Sequence, residues 1–146
     1  MRIVVLILGI LILLAAISWQ KFESIPKSST AQINGHVFSL YLATTPKDQE
    51  VGLAKFSRID NNQGMLFIFK QPDYYSFWMK DMQFPIDIIF ISNNNIVDIF
   101  QNVPVVKNGN LPVYTTTTKA DKVLEINAGL SKKYDINVGD KITLNL

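Results

Sequence analysis

The sequence has no cysteine and a single histidine, His36. Disulfide bracing is therefore excluded, as is any lipid anchor built on a cysteine. Zinc and copper sites, which draw on cysteine and histidine, lack their ligands. Oxygen donors alone would have to hold a metal, and Asp60-Asn61-Asn62 and Asp140 lack EF-hand spacing and read as turns; neither a metal nor a cofactor is expected. There is no G-x-S-x-G, and His36 sits beside a predicted turn, so a Ser-His-Asp triad has no elements to draw on. A serine-lysine dyad fares no better, because Ser76 and Lys80 on one strand would lie roughly 13 Å apart at 3.3 Å per residue. The chain also lacks an excess of charge where it folds. Three bases and one acid precede Ser28, which accounts for the formal net charge of +2 and leaves eleven residues of each sign beyond it. With no basic cluster to neutralise phosphates, nucleic acid is not an expected partner.

What is present begins with Arg2 and an apolar run from Ile3 to Ile17, a basic n-region followed by an h-region that directs a chain into a membrane. As a helix the run spans roughly 22 Å at 1.5 Å per residue, short of a hydrocarbon core of about 30 Å unless its flanks extend it. Trp19 and Lys21 read as an interfacial aromatic and a charged flank of an anchor, whereas Ala16-Ile17-Ser18 has the small-x-small form of a cleavage site. The expectation is a membrane anchor or signal peptide over residues 1–19, a solvated stalk over 20–30, and one domain over 31–146 outside the cytoplasmic membrane, secreted if the leader is cleaved.

The domain reads as mainly β, an α+β chain whose antiparallel sheet is compact and barrel-like with one or two short helices. Ala31-Gln32-Ile33 and His36 to Thr44 flank Asn34-Gly35, a type I′ turn dipeptide, so a hairpin is predicted. Thr45-Pro46-Lys47-Asp48 supplies an N-cap, a first-turn proline and an acid three residues after the cap, announcing a short helix to about Leu53. Strands are predicted over Met65 to Phe69, Tyr75 to Lys80, Ile86 to Ile91, Ile96 to Gln101 and Val123 to Ile126. Asn127 is expected to cap a second helix over Ala128 to Tyr134, and a last strand runs from Ile142 to Leu146. The run from Ile86 to Ile91 is apolar on both alternating faces except at Asp87, which suits a strand covered on both sides.

In order and spacing, Gly64-Met65-Leu66-Phe67-Ile68-Phe69, Phe77-Trp78-Met79-Lys80, Pro85-Ile86-Asp87-Ile88-Ile89-Phe90-Ile91, Val123-Leu124-Glu125 and Val138-Gly139-Asp140 resemble the bacterial and archaeal family called domain of unknown function 192. The resemblance spans about Ala31 to Leu144 and implies a fold but no reaction. The chain departs from the family pattern twice: Val51-Gly52-Leu53-Ala54 stands where arginine-glycine-leucine-methionine is usual, and Asp81-Met82 where asparagine-threonine is usual. A site built on either segment would be altered here.

Charges among aromatics mark clefts, which singles out Trp78, Lys80, Asp87, Glu125 and Arg58 as candidate ligand-binding residues. A hairpin joining Tyr75 to Lys80 with Ile86 to Ile91 would set Lys80 opposite Asp87 as a salt bridge, with Arg58 beside it. In one reading these charges only hold the register. In the other, Lys80, Asp87 and Glu125 line a pocket beside Trp78 and Tyr75. Strand alternation sends Phe77 and Met79 to one face and Trp78 and Lys80 to the other. The function expected is a membrane-tethered binding or accessory module for a glycan, a peptide or an envelope protein. The alternatives are a carbohydrate hydrolase using Asp87 and Glu125 as a carboxylate pair about 5 to 10 Å apart, and a structural partner domain of a membrane protein.

Overall fold

The computed structural model describes residues 28–107 and 109–146. The predicted anchor and most of the predicted stalk lie outside the described residues, and among the described residues no helix is long and apolar enough to cross a membrane. From Thr30 the chain is part of the sheet, pairing with Ser39 on one side and Asn145 on the other.

The domain is mainly β, a curled half-barrel sheet with few short helices. Strand β1 (Thr30–Ile33) turns into β2 (His36–Ala43) through Asn34 and Gly35, both at positive φ, the type I′ geometry their side chains tolerate. Helix α1 (Pro46–Val51) starts at Thr45, whose hydroxyl accepts from the Asp48 amide, and passes at Gly52 into a 3-10 turn, Gly52–Lys55. Then come β3 (Gln63–Asp73), β4 (Ser76–Trp78), β5 (Ile86–Ser92), β6 (Asn95–Val103), β7 (Val113–Thr115), β8 (Ala120–Asn127), α2 (Leu130–Lys133) and β9 (Thr143–Asn145). Seven strands form one sheet in the order β6-β5-β8-β3-β2-β1-β9, antiparallel except for the parallel pair β2 and β3. The isolated bridge between Asn95 and Lys141, with Ile96 N–H donating to Asp140 O at 2.9 Å, joins the β6 edge to the segment leading into β9. One corner of the curl is thereby tied.

Both faces of the central strands are buried, as the composition of β5 requires. Met65, Phe67, Ile88, Phe90 and Val123 face a core closed by Leu53, Met79 and Met82, with Phe77 and Tyr114 packed against it. Leu66, Ile89, Ile91, Leu124 and Ile126 face the second core with Ala31, Ile33, Phe38 and Ile142, capped by Leu130 and Ile136.

Three expectations are corrected. The Tyr75 to Lys80 segment does not form a hairpin with β5: β4 pairs with β7, and β5 lies between β6 and β8. Strand β7 carries no period-2 pattern and was not anticipated. Asn127 does not cap α2, because its amide donates to Ile59 O and Asn61 Oδ1 while Gly129, at φ 81°, opens the helix.

Gly64 of β3 lies opposite Ile126 of β8. A Cβ there would lie 2.7 Å from the Glu125 carbonyl oxygen and 3.0 Å from Ile126 Cγ2. Neither is free to retreat, so Gly64→Ala is expected to destabilise by about 2 kcal/mol, read as a fall in Tm of roughly 8 °C.

Candidate functional site

Strand β8 places Glu125 between Met65 of β3 and Ile88 of β5, on the face over which α1, the 3-10 turn and β4 close. Its side chain would meet any residue larger than glycine where the helix ends. A Cβ on Gly52, whose φ is 54°, would lie 3.3 Å from Phe67 Cζ and 4.0 Å from Glu125 Oε2. The glutamate is 5% exposed, and Oε2 is buried with no hydrogen-bond partner. Burial disfavours the charged form and pushes its pKa up to about 8, so the acid carries its proton at neutral pH.

Above the carboxyl lies a cleft with α1 as one wall and β4 with the following turn as the other. A central compartment of about 30 Å³ has Glu125 at its floor and Gln49, Gly52, Phe77 and Met82 around it. It opens on one side into about 260 Å³ bordered by Lys55, Lys80 and Asp81. On the other side it opens into about 320 Å³ bordered by Phe69, Tyr75 and Ser76. Glu50 and Trp78 border all three. Alternation along β4 turns Phe77 into the core, edge-on to Phe67 and Phe90, and Met79 follows it inward. Trp78 stays 52% exposed, with Lys80 Nζ 5.4 Å from its ring centroid. Asp81, at φ 59°, and the Met82 amide, which donates to Met79 O, make the turn that presents Lys80 at the rim.

Of the five residues singled out from sequence, Trp78, Lys80 and Glu125 therefore converge on one cleft. Asp87 does not. It lies opposite Ile126, whereas Glu125 lies opposite Ile88, so the two carboxyls project to opposite faces of the sheet. The expected carboxylate pair does not exist, and the glycan hydrolase built on it is ruled out. Nor does Asp87 meet Lys80: among the described residues the one ion pair is Lys122 with Asp121. Asp87 is fully buried and accepts hydrogen bonds from the amides of Asn102, Gly129 and Ser131 and from the Ser131 hydroxyl. It satisfies a bulge in β6 and the start of α2, a structural role. Arg58 is exposed and borders none of the three compartments.

Sequence reasoning missed Gln49, Gly52 and Phe67 as cleft residues, since a helix end and a strand face meet there only in three dimensions. One signal did point to them. Both departures from the family pattern fall on the cleft, Val51 and Ala54 on the α1 side and Asp81 and Met82 on the β4 side.

The family profile for domain of unknown function 192, described as an uncharacterized ACR, matches residues 29–144. No curated protein matches the chain. A crystal structure of a protein of unknown function from Novosphingobium aromaticivorans DSM 12444 is similar, at 31% identity and a TM-score of 0.71, over 80% of this chain and 83% of that one. A Sinorhizobium meliloti 1021 protein described as a candidate transcription regulator is also similar, at 28% identity and a TM-score of 0.72, over 80% of this chain and 92% of its own. The described fold and the profile match together place this chain in the domain of unknown function 192 family.

Proposed function

We propose that the chain is a ligand-binding module of the cell envelope, held at the outer face of the cytoplasmic membrane by residues 1–19, with its site in the cleft floored by Glu125. The observation that carries this reading is the buried carboxyl whose Oε2 has no partner. Leaving such a group unpaired costs about 1–3 kcal/mol, and a group kept at that cost beneath an open cleft is placed to meet something entering it. Half-exposed Trp78 adds a flat apolar surface beside it. The outward tether is supported by Arg2 and the apolar run after it. Binding is preferred to catalysis because, although Glu50 of α1 borders the same compartment, the one histidine of the chain, His36, stacks on Tyr134 beside the other core and leaves the cleft without an imidazole. The description of the Sinorhizobium protein as a transcription regulator is not carried over as nucleic-acid binding, because bases and acids are equal in number beyond Ser28.

The test is an NMR screen of monosaccharides, amino acids and dipeptides against the full chain in detergent micelles, following the Glu125 carboxyl and Trp78 indole resonances. Binders should shift both and weaken about tenfold, or 1.4 kcal/mol, in Trp78→Ala. Binders that leave both resonances unmoved would overturn the site. Proteinase K added to intact spheroplasts should remove a C-terminal tag; a tag protected until lysis would overturn the outward placement.

A further inference from the structure

The Thr116 amide donates to Tyr75 O, in the same register that pairs Ser76 with Thr115, Phe77 with Tyr114 and Trp78 with Val113. Bonded and non-bonded pairs alternate along an antiparallel ladder, so Phe77 and Tyr114 exchange the next bonds. Ser76 and Trp78 then direct their N–H and C=O groups away from β7. Strand β4 has β7 as its one neighbour, and among the described residues no hydrogen bond reaches the backbone of Ser76 or Trp78. This free edge borders the cleft, with α1 across from it.

An unpaired strand edge is a template for one more strand. Here the helix opposite leaves a trough and not an open flank, so the edge is fitted to a single extended segment. The compartments suit alternate side chains of such a segment. The one at Phe69 and Tyr75, whose rings stack at 3.6 Å, is aromatic. The central one, at about 30 Å³ the smallest of the three, suits a small polar side chain facing Glu125. At the far end Glu50 and Asp81 balance Lys55 and Lys80, so a charged side chain of either sign meets a like charge. A sugar would use the Trp78 ring, but its hydroxyls do not repeat N–H and C=O groups at the spacing of a strand, as a peptide backbone does.

We propose that the cleft binds an extended peptide segment that adds to β4 as a third strand of the β4–β7 ribbon, setting an uncharged hydroxyl or carboxamide side chain over Glu125. This rests on the cleft being the binding site and names the class of its ligand.

The full chain in detergent micelles is panned against displayed random heptapeptides, and the enriched sequences are synthesised. They should carry serine, threonine, asparagine or glutamine at one fixed position and lose about tenfold in affinity, 1.4 kcal/mol, when an alternate backbone amide facing β4 is N-methylated. Methylating the neighbouring amides should change affinity less than about twofold, and the bound peptide should slow hydrogen exchange at the Ser76 and Trp78 amides. Enriched peptides indifferent to N-methylation, or no enrichment, would overturn strand addition. Titration of N-acetylglucosamine oligomers separates the two levels of inference: Trp78-dependent binding of these without peptide binding sinks the peptide proposal alone, and binding of neither at the cleft sinks both.

Discussion

Glu125→Gln is expected to make the protein more stable at pH 7 by about 3 kcal/mol, an upper bound set by the distance of that pH from the ordinary glutamate value. The folded acid titrates near 8 against 4.5 for the free side chain, so between those values the folded state holds a proton that the unfolded state has released. Stability is fully present below about 4.5 and is lost as pH rises, the loss levelling off above about 8 at about 5 kcal/mol. Glutamine cannot ionise and should not show this slope. Urea unfolding of both proteins at pH 5, 7 and 9 gives the difference directly: it should be below about 1 kcal/mol at the first and should grow to about 5 kcal/mol at the last. A difference that stays constant across this range would show that Glu125 is charged in the fold and that its pKa is not raised. The same substitution disturbs the cleft floor, so a gain in stability accompanied by weaker ligand binding would mark a group retained for binding.

Asp87→Ala should act in the opposite direction and at least as strongly. It removes the acceptor for three amides and a hydroxyl, all at the junction of β5, β6 and α2. The Ser131 amide and hydroxyl are buried and cost about 1–3 kcal/mol each when orphaned, with less from the Asn102 and Gly129 amides, so the loss is expected to reach about 4 kcal/mol, a large share of the roughly 5–15 kcal/mol that holds an ordinary domain. Asp87→Asn keeps one acceptor oxygen and should fall between. Lys80→Ala, by contrast, should change stability by less than about 0.5 kcal/mol, and its effect should add to that of Asp87→Asn with no coupling. Chemical denaturation of the two single variants and the double variant measures all of this; a coupling above about 1 kcal/mol would restore the salt bridge that the strand order excludes.

Local features of the molecule were legible in its sequence, and long-range ones were not. Asn34-Gly35 and Thr45-Pro46 could be read because a turn dipeptide and a helix cap act through bonds to residues three or four away. The burial of β5 on both faces was legible for a similar reason: Ile86, Ile88 and Phe90 alternate with Ile89 and Ile91, and no register is needed to see it. Strand pairing is another matter. Proximity in sequence predicts a hairpin of the Tyr75 to Lys80 segment with β5, but the turn at Asp81 and the stretch to Pro85 carry the chain from β4 to a different part of the fold. Val113–Thr115 escaped notice because a three-residue strand among threonines has no periodicity. Glu125 was legible only as a charge in an apolar run. Its position opposite Ile88, and so on the other face from Asp87, depends on register alone.

The sheet order also governs when the core can exist at all. Strand β8 lies between β5 and β3, so neither of these earlier strands has its inner neighbour until residue 127 is available, and the β1 edge waits for Thr143–Asn145. At synthesis rates of about 5–20 residues per second, the interval between β3 and the end of β8 lasts on the order of seconds. A nascent chain can pair β1 with β2, β2 with β3 and β5 with β6 as each is made, but the two halves of the sheet stay apart, with β3 and β5 bare on their inner sides, until synthesis is nearly complete. That delay makes C-terminal truncation before residue 127 a loss of the whole domain, not of one edge.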